Sequence, residues 1–176
     1  YLLYYRSAHW VVDVSEGPDK RPWYTLLDEL ISVKYSIPAE HMRIIPDSEL
    51  DPIHPDVPLG EKSIYVNIAR QTLEAYEGGE QVFATKISSG GATPTGTYNI
   101  QTKMPSKHMG NGKVTSWDFA YELVGVPWNC FFEMKKGMAT HGTFWHTNFG
   151  TPMSGGCLNM SIDDAKWIYL WTTPIP

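Results

Sequence analysis

The chain has 176 residues, 42% of them hydrophobic, and a formal net charge of −5. This length is enough for one domain with its own core, or for such a domain and a small companion. Lys and Arg number 14 against 19 Asp and Glu, with no basic run, so we do not expect nucleic acid as a partner. No stretch reaches the roughly 18 to 20 consecutive apolar residues of a membrane-spanning helix.

Aromatic and turn-forming residues set the expected fold class. The chain holds 7 Trp, 10 Tyr and 6 Phe together with 15 Gly and 13 Pro. Aromatic residues favour strands, whereas Gly and Pro favour the tight turns that join them. The sequence therefore predicts a mainly β fold rather than a helical bundle.

Residues 1–59 are predicted to form a small β-rich domain and a linker. Short strand signals lie near residues 4–5, 9–12, 23–24 and 33–35. Residues 28–31 are also consistent with a helical turn, but the β-branched and aromatic residues on both sides favour a strand there. Pro38 opens a single predicted helical turn. Prolines scattered among acidic residues between positions 46 and 58 are typical of a surface connector, so we place the domain boundary near Leu59.

Residues 60–176 are predicted to form a second domain. Strand signals lie at residues 62–68, 73–76, 82–85, 96–100, 128–132 and 138–141. Ser161, with Asp164 three residues later, is a candidate N-cap of one helix. Trp167 and Trp171 stand four residues apart on this helix, which predicts a core-facing stripe.

A segment rich in Lys, Met and Gly, residues 103–113, is predicted to be a long mobile loop. It contains Lys103, Lys107, His108 and Lys113. Two interpretations of this loop are open, a solvated surface or a lid over a cleft.

The two cysteines, Cys130 and Cys157, are too few for a disulfide framework. Cys130 alternates with Trp128 and Phe132 at period 2, which predicts an unpaired core thiol on the buried face of a strand. Cys157 follows two glycines and lies just upstream of the predicted helix start. We expect such a turn to expose backbone N–H groups and to lower the pKa of the thiol.

A nucleophilic Cys157 needs a base, because a thiol is only weakly ionised near neutral pH. Two candidate imidazoles, His141 and His146, stand within 16 residues before it in the chain. The adjacent glycines let a substrate carbonyl approach the backbone, so the N–H groups of Cys157 and Gly156 would hold an oxyanion. Two other interpretations are open: a buried small hydrophobe, and a zinc site with both histidines, for which no fourth ligand stands at a familiar spacing.

This part of the chain resembles the signature of the L,D-transpeptidase family, which has a YkuD-type catalytic domain. The signature is a His-Gly pair, a variable loop, and a Ser-His-Gly-Cys-like turn followed by Asn or Arg. Here it reads His141-Gly142, then Ser154-Gly155-Gly156-Cys157 and Asn159. Further matches are SSG at residues 88–90, TPTGTY at residues 93–98 and GVPW at residues 125–128. The resemblance extends over most of residues 62–171.

The resemblance implies a fold and three catalytic roles. The implied fold is a mixed β-sandwich with a helix after the cysteine, preceded by a small β domain that resembles part of a Src-homology-like barrel. Cys157 is implied as the nucleophile and His141 as the general base. The backbone carbonyl of Gly142 is implied as the acceptor that orients the imidazole, a task that needs no third side chain.

The residues around the cysteine have implied roles as well. Gly156, Ser154 and Gly155 would form the oxyanion turn, although Gly155 stands where many family members have histidine. The candidate substrate-binding residues are His146, Trp145, Asn159 and Thr143. For Ser154 and Asn159 a simple turn or cap role is an open alternative, which we favour for Asn159; Ser154 would also help hold the turn.

The implied activity is that of a peptidoglycan L,D-transpeptidase acting in cell wall biogenesis and cell shape. Cys157 would form a thioester with a tetrapeptide stem, release D-Ala, and transfer the acyl group to an amine of another stem, as a 3-3 cross-link, or of a wall protein. Alternatives are an L,D-carboxypeptidase and a non-catalytic cell-wall-binding protein.

The expected partners are peptidoglycan stem peptides and, as covalent inhibitors, β-lactams of the carbapenem class. No metal or cofactor is expected, because covalent catalysis by a thiol needs neither. The first residues lack the layout of a signal peptide. Peptidoglycan as the substrate that the resemblance implies leads us to expect an extracytoplasmic protein that is secreted or membrane-anchored through a segment upstream of residue 1.

Overall fold

A computed structural model describes residues 3–110 and 122–174 of the chain. Strands predominate in these residues, with one α-helix and several single 3₁₀ turns. The strands are β1 (Trp10–Glu16), β2 (Pro22–Asp28), β3 (Val33–Pro38), β4 (Lys62–Asn67), β5 (Thr72–Glu77), β6 (Glu80–Lys86), β7 (Thr102–Met109), β8 (Leu123–Glu133), β9 (Met138–Gly142) and β10 (Leu158–Met160), and the helix is α1 (Ile162–Trp171). The predicted mainly β fold is confirmed.

The chain divides into two compact units, and both are discontinuous in sequence. One unit consists of Tyr1–Asp51 and Ser106–Val126, and the other of Pro52–Pro105 and Pro127–Pro176. The predicted domains, residues 1–59 and 60–176, run continuously along the chain instead. The difference arises because the distal parts of β7 and β8 group with the N-terminal residues.

The first unit contains the antiparallel sheet β1-β2-β3. The strand predicted at residues 28–31 is wrong beyond Asp28, where β2 ends. The carboxylate of Asp28 accepts hydrogen bonds from the N–H groups of Leu30 at 3.0 Å and Ile31 at 3.3 Å. This side chain thus closes a local turn that competes with the strand. The predicted helical turn after Pro38 is confirmed as a 3₁₀ turn, Ala39–His41.

The mobile loop predicted at residues 103–113 is wrong for its first seven residues, which belong to β7. His108 is 2% exposed, and its Nδ1 lies 2.8 Å from Oδ2 of Asp28. Its Nε2 lies 2.5 Å from Oε2 of Glu122. His108 is therefore a buried strand residue and not part of a surface loop. Its burial is tolerated because both ring nitrogens have hydrogen-bond partners. Lys113 lies outside the described residues.

The second unit contains the antiparallel sheet β4-β5-β6 and most of the mixed sheet β10-β9-β8-β7. In the mixed sheet β8 and β9 are antiparallel, whereas β9 and β10 are parallel. Helix α1 packs against β9. It also contacts both sheets. The ring of Trp167 stacks on that of Phe83 of β6, with their centroids 4.3 Å apart, and the ring centroids of Tyr169 and Trp128 of β8 are 5.3 Å apart.

The start of α1 agrees with the sequence prediction. The hydroxyl of Ser161 accepts a hydrogen bond from the N–H of Asp164 at 3.2 Å, which makes it the N-cap. Trp171 is 1% exposed and stacks on Trp167, so the predicted core-facing stripe is confirmed. Among the described residues, no helix has the length and apolar character required to cross a bilayer.

The strand predicted at residues 96–100 is absent from the structure. Gly96 has a φ of 137°, and Tyr98 donates its hydroxyl proton to the carbonyl oxygen of Thr95 at 3.2 Å. The next backbone hydrogen bond to β8 comes at Gln101, whose N–H donates to Phe131 at 2.7 Å. The segment alternates in sequence, but the structure assigns none of residues 96–100 to a strand, so the alternation is misleading here.

Candidate active site

The parallel pairing of β9 and β10 places the chain that follows Cys157 beside the strand that carries His141. The register pairs Leu158 with Thr140 and Asn159 with His141. Cys157 immediately precedes β10 and therefore lies beside Ala139. The thiol of Cys157 interacts with the backbone N–H of Ala139, two residues before His141 on β9.

His141 is held by the carbonyl group that the sequence predicted. It is 1% exposed, and its Nδ1 lies 3.1 Å from the carbonyl oxygen of Gly142. A carbonyl only accepts, so Nδ1 carries the proton and Nε2 is the free acceptor. Burial lowers the pKa of His141 to about 4, opposed by the Gly142 carbonyl. The ring is therefore neutral at physiological pH.

The thiol of Cys157 differs electrostatically from the prediction. It is partly exposed and donates towards the carbonyl oxygen of Gly137 at 3.5 Å. Burial raises the pKa of Cys157, opposed by the backbone N–H of Ala139. The prediction of a lowered pKa is wrong, because the effect of burial on the thiol outweighs that of the N–H group beside it.

Cys130 has the environment predicted for a core thiol. It is fully buried in β8, its neighbours Trp128 and Phe132 are also buried, and its thiol is unpaired. Burial raises the pKa of its thiol as well. The Sγ atom of Cys130 lies 3.6 Å from the hydroxyl oxygen of Thr172, within hydrogen-bond distance for sulfur. Of the two thiols, only Cys157 is accessible to a substrate.

Residues 154–157, called the cysteine turn below, are held by a loop that follows β6. The N–H groups of Met153 and Ser154 both donate to the carbonyl oxygen of Ser89, at 3.0 and 3.2 Å. Within the turn, the hydroxyl of Ser154 donates to the carbonyl oxygen of Cys157 at 2.6 Å. Ser154 thus holds the turn, as one of its two predicted roles requires.

Glycines permit the close packing of this loop against the cysteine turn. A Cβ on Gly90 would lie 2.1 Å from the carbonyl oxygen of Ser154, and a Cβ on Gly156 would lie 2.4 Å from Sδ of Met138. By contrast, nothing lies within 4 Å of a Cβ on Gly155. The position where many relatives have histidine is therefore open to a side chain.

Trp145 and His146 lie near the catalytic candidates. The ring of Trp145 is 5.6 Å from that of His141. Nε2 of His146 lies 2.8 Å from the side-chain amide of Asn159. Asn159 is 1% exposed and lies within β10, so the turn or cap role favoured for it is wrong. Burial lowers the pKa of His146.

Thr143 follows the His-Gly pair and is 5% exposed. Its N–H donates to the carbonyl oxygen of Met160 at 2.9 Å. Its buried hydroxyl has no hydrogen-bond partner among the described residues. Buried hydroxyl groups are normally paired, so this one is available to a ligand or water.

Two contributors to the site were not predicted from sequence. Gln71, in the turn between β4 and β5, bonds the backbone N–H and the hydroxyl of Ser89, both at 2.7 Å. Thr93 donates its hydroxyl proton to the carbonyl oxygen of Gly156 at 2.8 Å. The TPTG run at residues 93–96 signalled a turn, but nothing in it identified this contact.

In residues 3–110 and 122–174, no group of His, Cys, Asp and Glu side chains is arranged to hold a metal ion.

Comparisons with known proteins agree with this arrangement. The sequence model of the YkuD family, described as an L,D-transpeptidase catalytic domain, matches residues 61–175. The chain is 28% identical over 130 residues to the Bacillus subtilis (strain 168) protein YciB, whose name assigns it to the L,D-transpeptidases. This alignment covers 66% of the chain and 63% of that relative's length.

Solved structures with the same fold include an L,D-transpeptidase from Mycobacterium smegmatis. It is 24% identical, with a TM-score of 0.57, over 64% of this chain and 55% of that chain. The L,D-transpeptidase LdtMt1, solved in complex with imipenem, is 16% identical, with a TM-score of 0.56, over 93% of this chain and 73% of that chain. With a family match that extends over more than half of its length, the chain belongs to the L,D-transpeptidase family.

Proposed function

We propose that this chain is a peptidoglycan L,D-transpeptidase whose nucleophile is Cys157. The observation that carries the proposal is that Cys157 immediately precedes β10, which pairs with the strand of His141, and that Nδ1 of His141 is bound to Gly142. This leaves Nε2 free to accept a proton from the thiol. Family membership supports acyl transfer as the type of reaction.

The acylation step uses the carbonyl carbon of the third residue of a tetrapeptide stem. As the sulfur of Cys157 attacks this carbon, the thiol proton moves to Nε2 of His141 and a tetrahedral oxyanion forms. The oxyanion collapses, the bond to the terminal D-Ala breaks, and the proton passes to the leaving amine. The products are free D-Ala and a thioester on Cys157.

The second step transfers the acyl group to an amine. The side-chain amine of the third residue of another stem attacks the thioester and gives up a proton to His141. Collapse of this intermediate gives a 3-3 cross-link and restores the thiol. With water as the acceptor, the same site would act as an L,D-carboxypeptidase; with an amine of a wall protein, it would attach that protein.

The electrostatics favour general-base catalysis over a preformed ion pair. Burial raises the pKa of Cys157 and lowers the pKa of His141 to about 4, so both groups rest in their neutral forms. Proton transfer must then accompany attack on the carbonyl. A second role falls to the N–H groups of Gly156 and Cys157, which would bind the oxyanion.

Four further residues are proposed to bind the substrate. His146 and Asn159 form a hydrogen-bonded pair, and Trp145 presents an aromatic surface beside His141. Thr143 has a buried hydroxyl available for pairing. The open space at Gly155 would leave room for the acyl chain of the stem.

Peptidoglycan as substrate implies an extracytoplasmic location, and a role in cell wall biogenesis follows. Carbapenems are proposed as covalent inhibitors that acylate Cys157. A protein with the same fold has been solved in complex with imipenem, which supports this class of ligand. The non-catalytic wall-binding alternative depends on Gly155, but the pairing of Cys157 with His141 does not require a side chain there.

The test compares the two cysteines as matched variants. Wild type, Cys157→Ser and Cys130→Ala are incubated with imipenem and, separately, with a disaccharide-tetrapeptide. Intact-protein mass spectrometry reports the adduct, and chromatography reports D-Ala and muropeptide dimers. We expect adduct and D-Ala release with wild type and Cys130→Ala, and neither with Cys157→Ser.

Two results would contradict the proposal. One is a wild-type protein that forms no adduct and releases no D-Ala. The other is an adduct that persists in Cys157→Ser. Analysis of the dimers then separates the activities, since a 3-3 linkage identifies transpeptidation, whereas tripeptide without dimer identifies the carboxypeptidase.

A further inference from the structure

Three consecutive carbonyl groups of the cysteine turn accept hydrogen bonds. The carbonyl oxygen of Gly155 accepts from the backbone N–H of Ala92 at 3.2 Å. The carbonyl oxygen of Gly156 accepts from the hydroxyl of Thr93 at 2.8 Å, and that of Cys157 accepts from Ser154 at 2.6 Å. The orientation of these three peptide planes is therefore set by specific donors.

These contacts determine the direction of the N–H groups. In a trans peptide the C=O and the N–H point in opposite directions. Because the carbonyl of Gly156 points at Thr93, the N–H of Cys157, in the same peptide plane, points away from the loop. The N–H of Gly156 is turned away from Ala92 in the same manner. These are the two groups proposed to bind the oxyanion.

We propose that Thr93 is a positioning residue for the oxyanion hole. Its hydroxyl fixes the peptide plane between Gly156 and Cys157, so that the Cys157 N–H is oriented before the substrate arrives. A hydrogen bond to the carbonyl also polarises the peptide and strengthens its N–H as a donor. This inference rests on the proposed function, since it requires an acylated Cys157.

Thr93 is itself well placed for this role. Its hydroxyl oxygen accepts a hydrogen bond from the backbone N–H of Gly90 at 2.9 Å. That bond directs the hydroxyl proton towards Gly156. Pro94 follows Thr93, and a residue before proline is restricted to extended backbone conformations. Both the backbone and the side chain of Thr93 are thus constrained.

The loop that carries Thr93 is also fixed at its beginning. Gln71 is 3% exposed and has a φ of 55°, a left-handed conformation that is uncommon for residues other than glycine. Its side-chain oxygen accepts the N–H of Ser89, and its amide nitrogen donates to the Ser89 hydroxyl and to the carbonyl oxygen of Ile68. Strained, fully bonded residues of this kind support functional sites.

The test uses two reactions of the same thiol. Acylation by imipenem passes through an oxyanion, whereas alkylation by iodoacetamide forms a C–S bond with loss of iodide and needs no oxyanion. Thr93→Val keeps the shape of the side chain and removes the hydroxyl, and Thr93→Ser keeps the hydroxyl. Both rates at Cys157 are followed by mass spectrometry with peptide mapping.

We expect Thr93→Val to lower the acylation rate about tenfold, less than the roughly 100-fold or greater loss on direct removal of an oxyanion donor. Its alkylation rate stays within about twofold of wild type, and Thr93→Ser acylates within about threefold of wild type. The proposal is overturned if Thr93→Val slows both reactions equally, if it slows neither, or if Thr93→Ser is as slow as Thr93→Val. A wild-type protein that is alkylated but never acylated instead refutes the proposed function, and this inference with it.

Discussion

Replacing Gly90 with Ala tests how strongly the site depends on the loop beside the cysteine turn. A Cβ at this position would lie 2.1 Å from the carbonyl oxygen of Ser154 and 2.6 Å from its carbonyl carbon. Both are backbone atoms, so no rotation of a side chain relieves the overlap. The two backbone segments must separate by about 1 Å, as in other overpacked sites.

The structure allows the magnitude to be worked out. Separation stretches the hydrogen bonds from Met153 and Ser154 to Ser89, now 3.0 and 3.2 Å long. Two lost bonds at about 1 kcal/mol each, with about 1 kcal/mol of residual strain, lower the unfolding free energy by about 3 kcal/mol. Because Cys157 moves with the turn, a displacement of about 1 Å lowers its acylation rate about 100-fold.

Gly91→Ala is the matched control, since nothing lies within 4 Å of a Cβ at Gly91. We expect its unfolding free energy to stay within about 0.5 kcal/mol of wild type and its acylation to be unchanged. Urea unfolding and a time course of imipenem adduct formation measure both quantities. If Gly90→Ala behaves like Gly91→Ala in both assays, the close contact does not position the cysteine turn.

Three further predictions concern ionisation and capping. The acylation rate of Cys157 should be nearly independent of pH between about pH 6 and pH 8, because burial raises the pKa of its thiol and His141, with a pKa of about 4, is already neutral, so neither group changes its protonation state there; a rate that rises about tenfold per pH unit would indicate attack by a free thiolate, and one that is highest at acidic pH an ion pair. Burial lowers the pKa of His9 from 6.5 to about 4, so between these two values the unfolded chain binds more protons than the folded chain, and the unfolding free energy falls as the pH falls. In urea unfolding, His9→Gln should show a smaller fall in unfolding free energy over this range; a fall as large as that of wild type would contradict this. Ser161→Ala should lower the unfolding free energy by about 1 kcal/mol through loss of the cap on Asp164, whereas Ser161→Thr, measured in the same urea titration, should not.

The parts of the fold that the sequence predicted are those with strong local signals. The period-2 pattern at residues 62–68 became β4, and Ser161 begins α1 as its cap chemistry indicates. Errors arose where partners distant in the chain decide the structure. The surface loop predicted around His108 is wrong because the contacts of this residue with Asp28 and Glu122 cannot be inferred from its neighbours in sequence.

In the candidate active site, too, residues within a local motif are predicted from sequence, whereas contacts between distant residues and effects of burial are not. The motif residues Cys157, His141 and Gly142 are predicted because their spacing matches a family; the structure joins His141 to the carbonyl of Gly142 and places Cys157 just before the strand that pairs with β9. The contact between Thr93 and Gly156 joins residues 63 positions apart, and no local pattern identifies it. Likewise, the raised pKa of Cys157 follows from burial, which the sequence does not express.

The discontinuous units have a practical consequence for separating the two parts of this chain. A fragment that starts at Pro52 keeps the outer ends of β7 and β8 but loses Tyr1–Asp51, the residues that belong to the same unit. Ser106 would lose Ala8, whose carbonyl oxygen its hydroxyl contacts at 2.6 Å, and His108 would lose Asp28. The exposed strand ends would then invite association between copies. An isolated catalytic fragment therefore requires a shortened β7–β8 connection as well as the cut before Pro52.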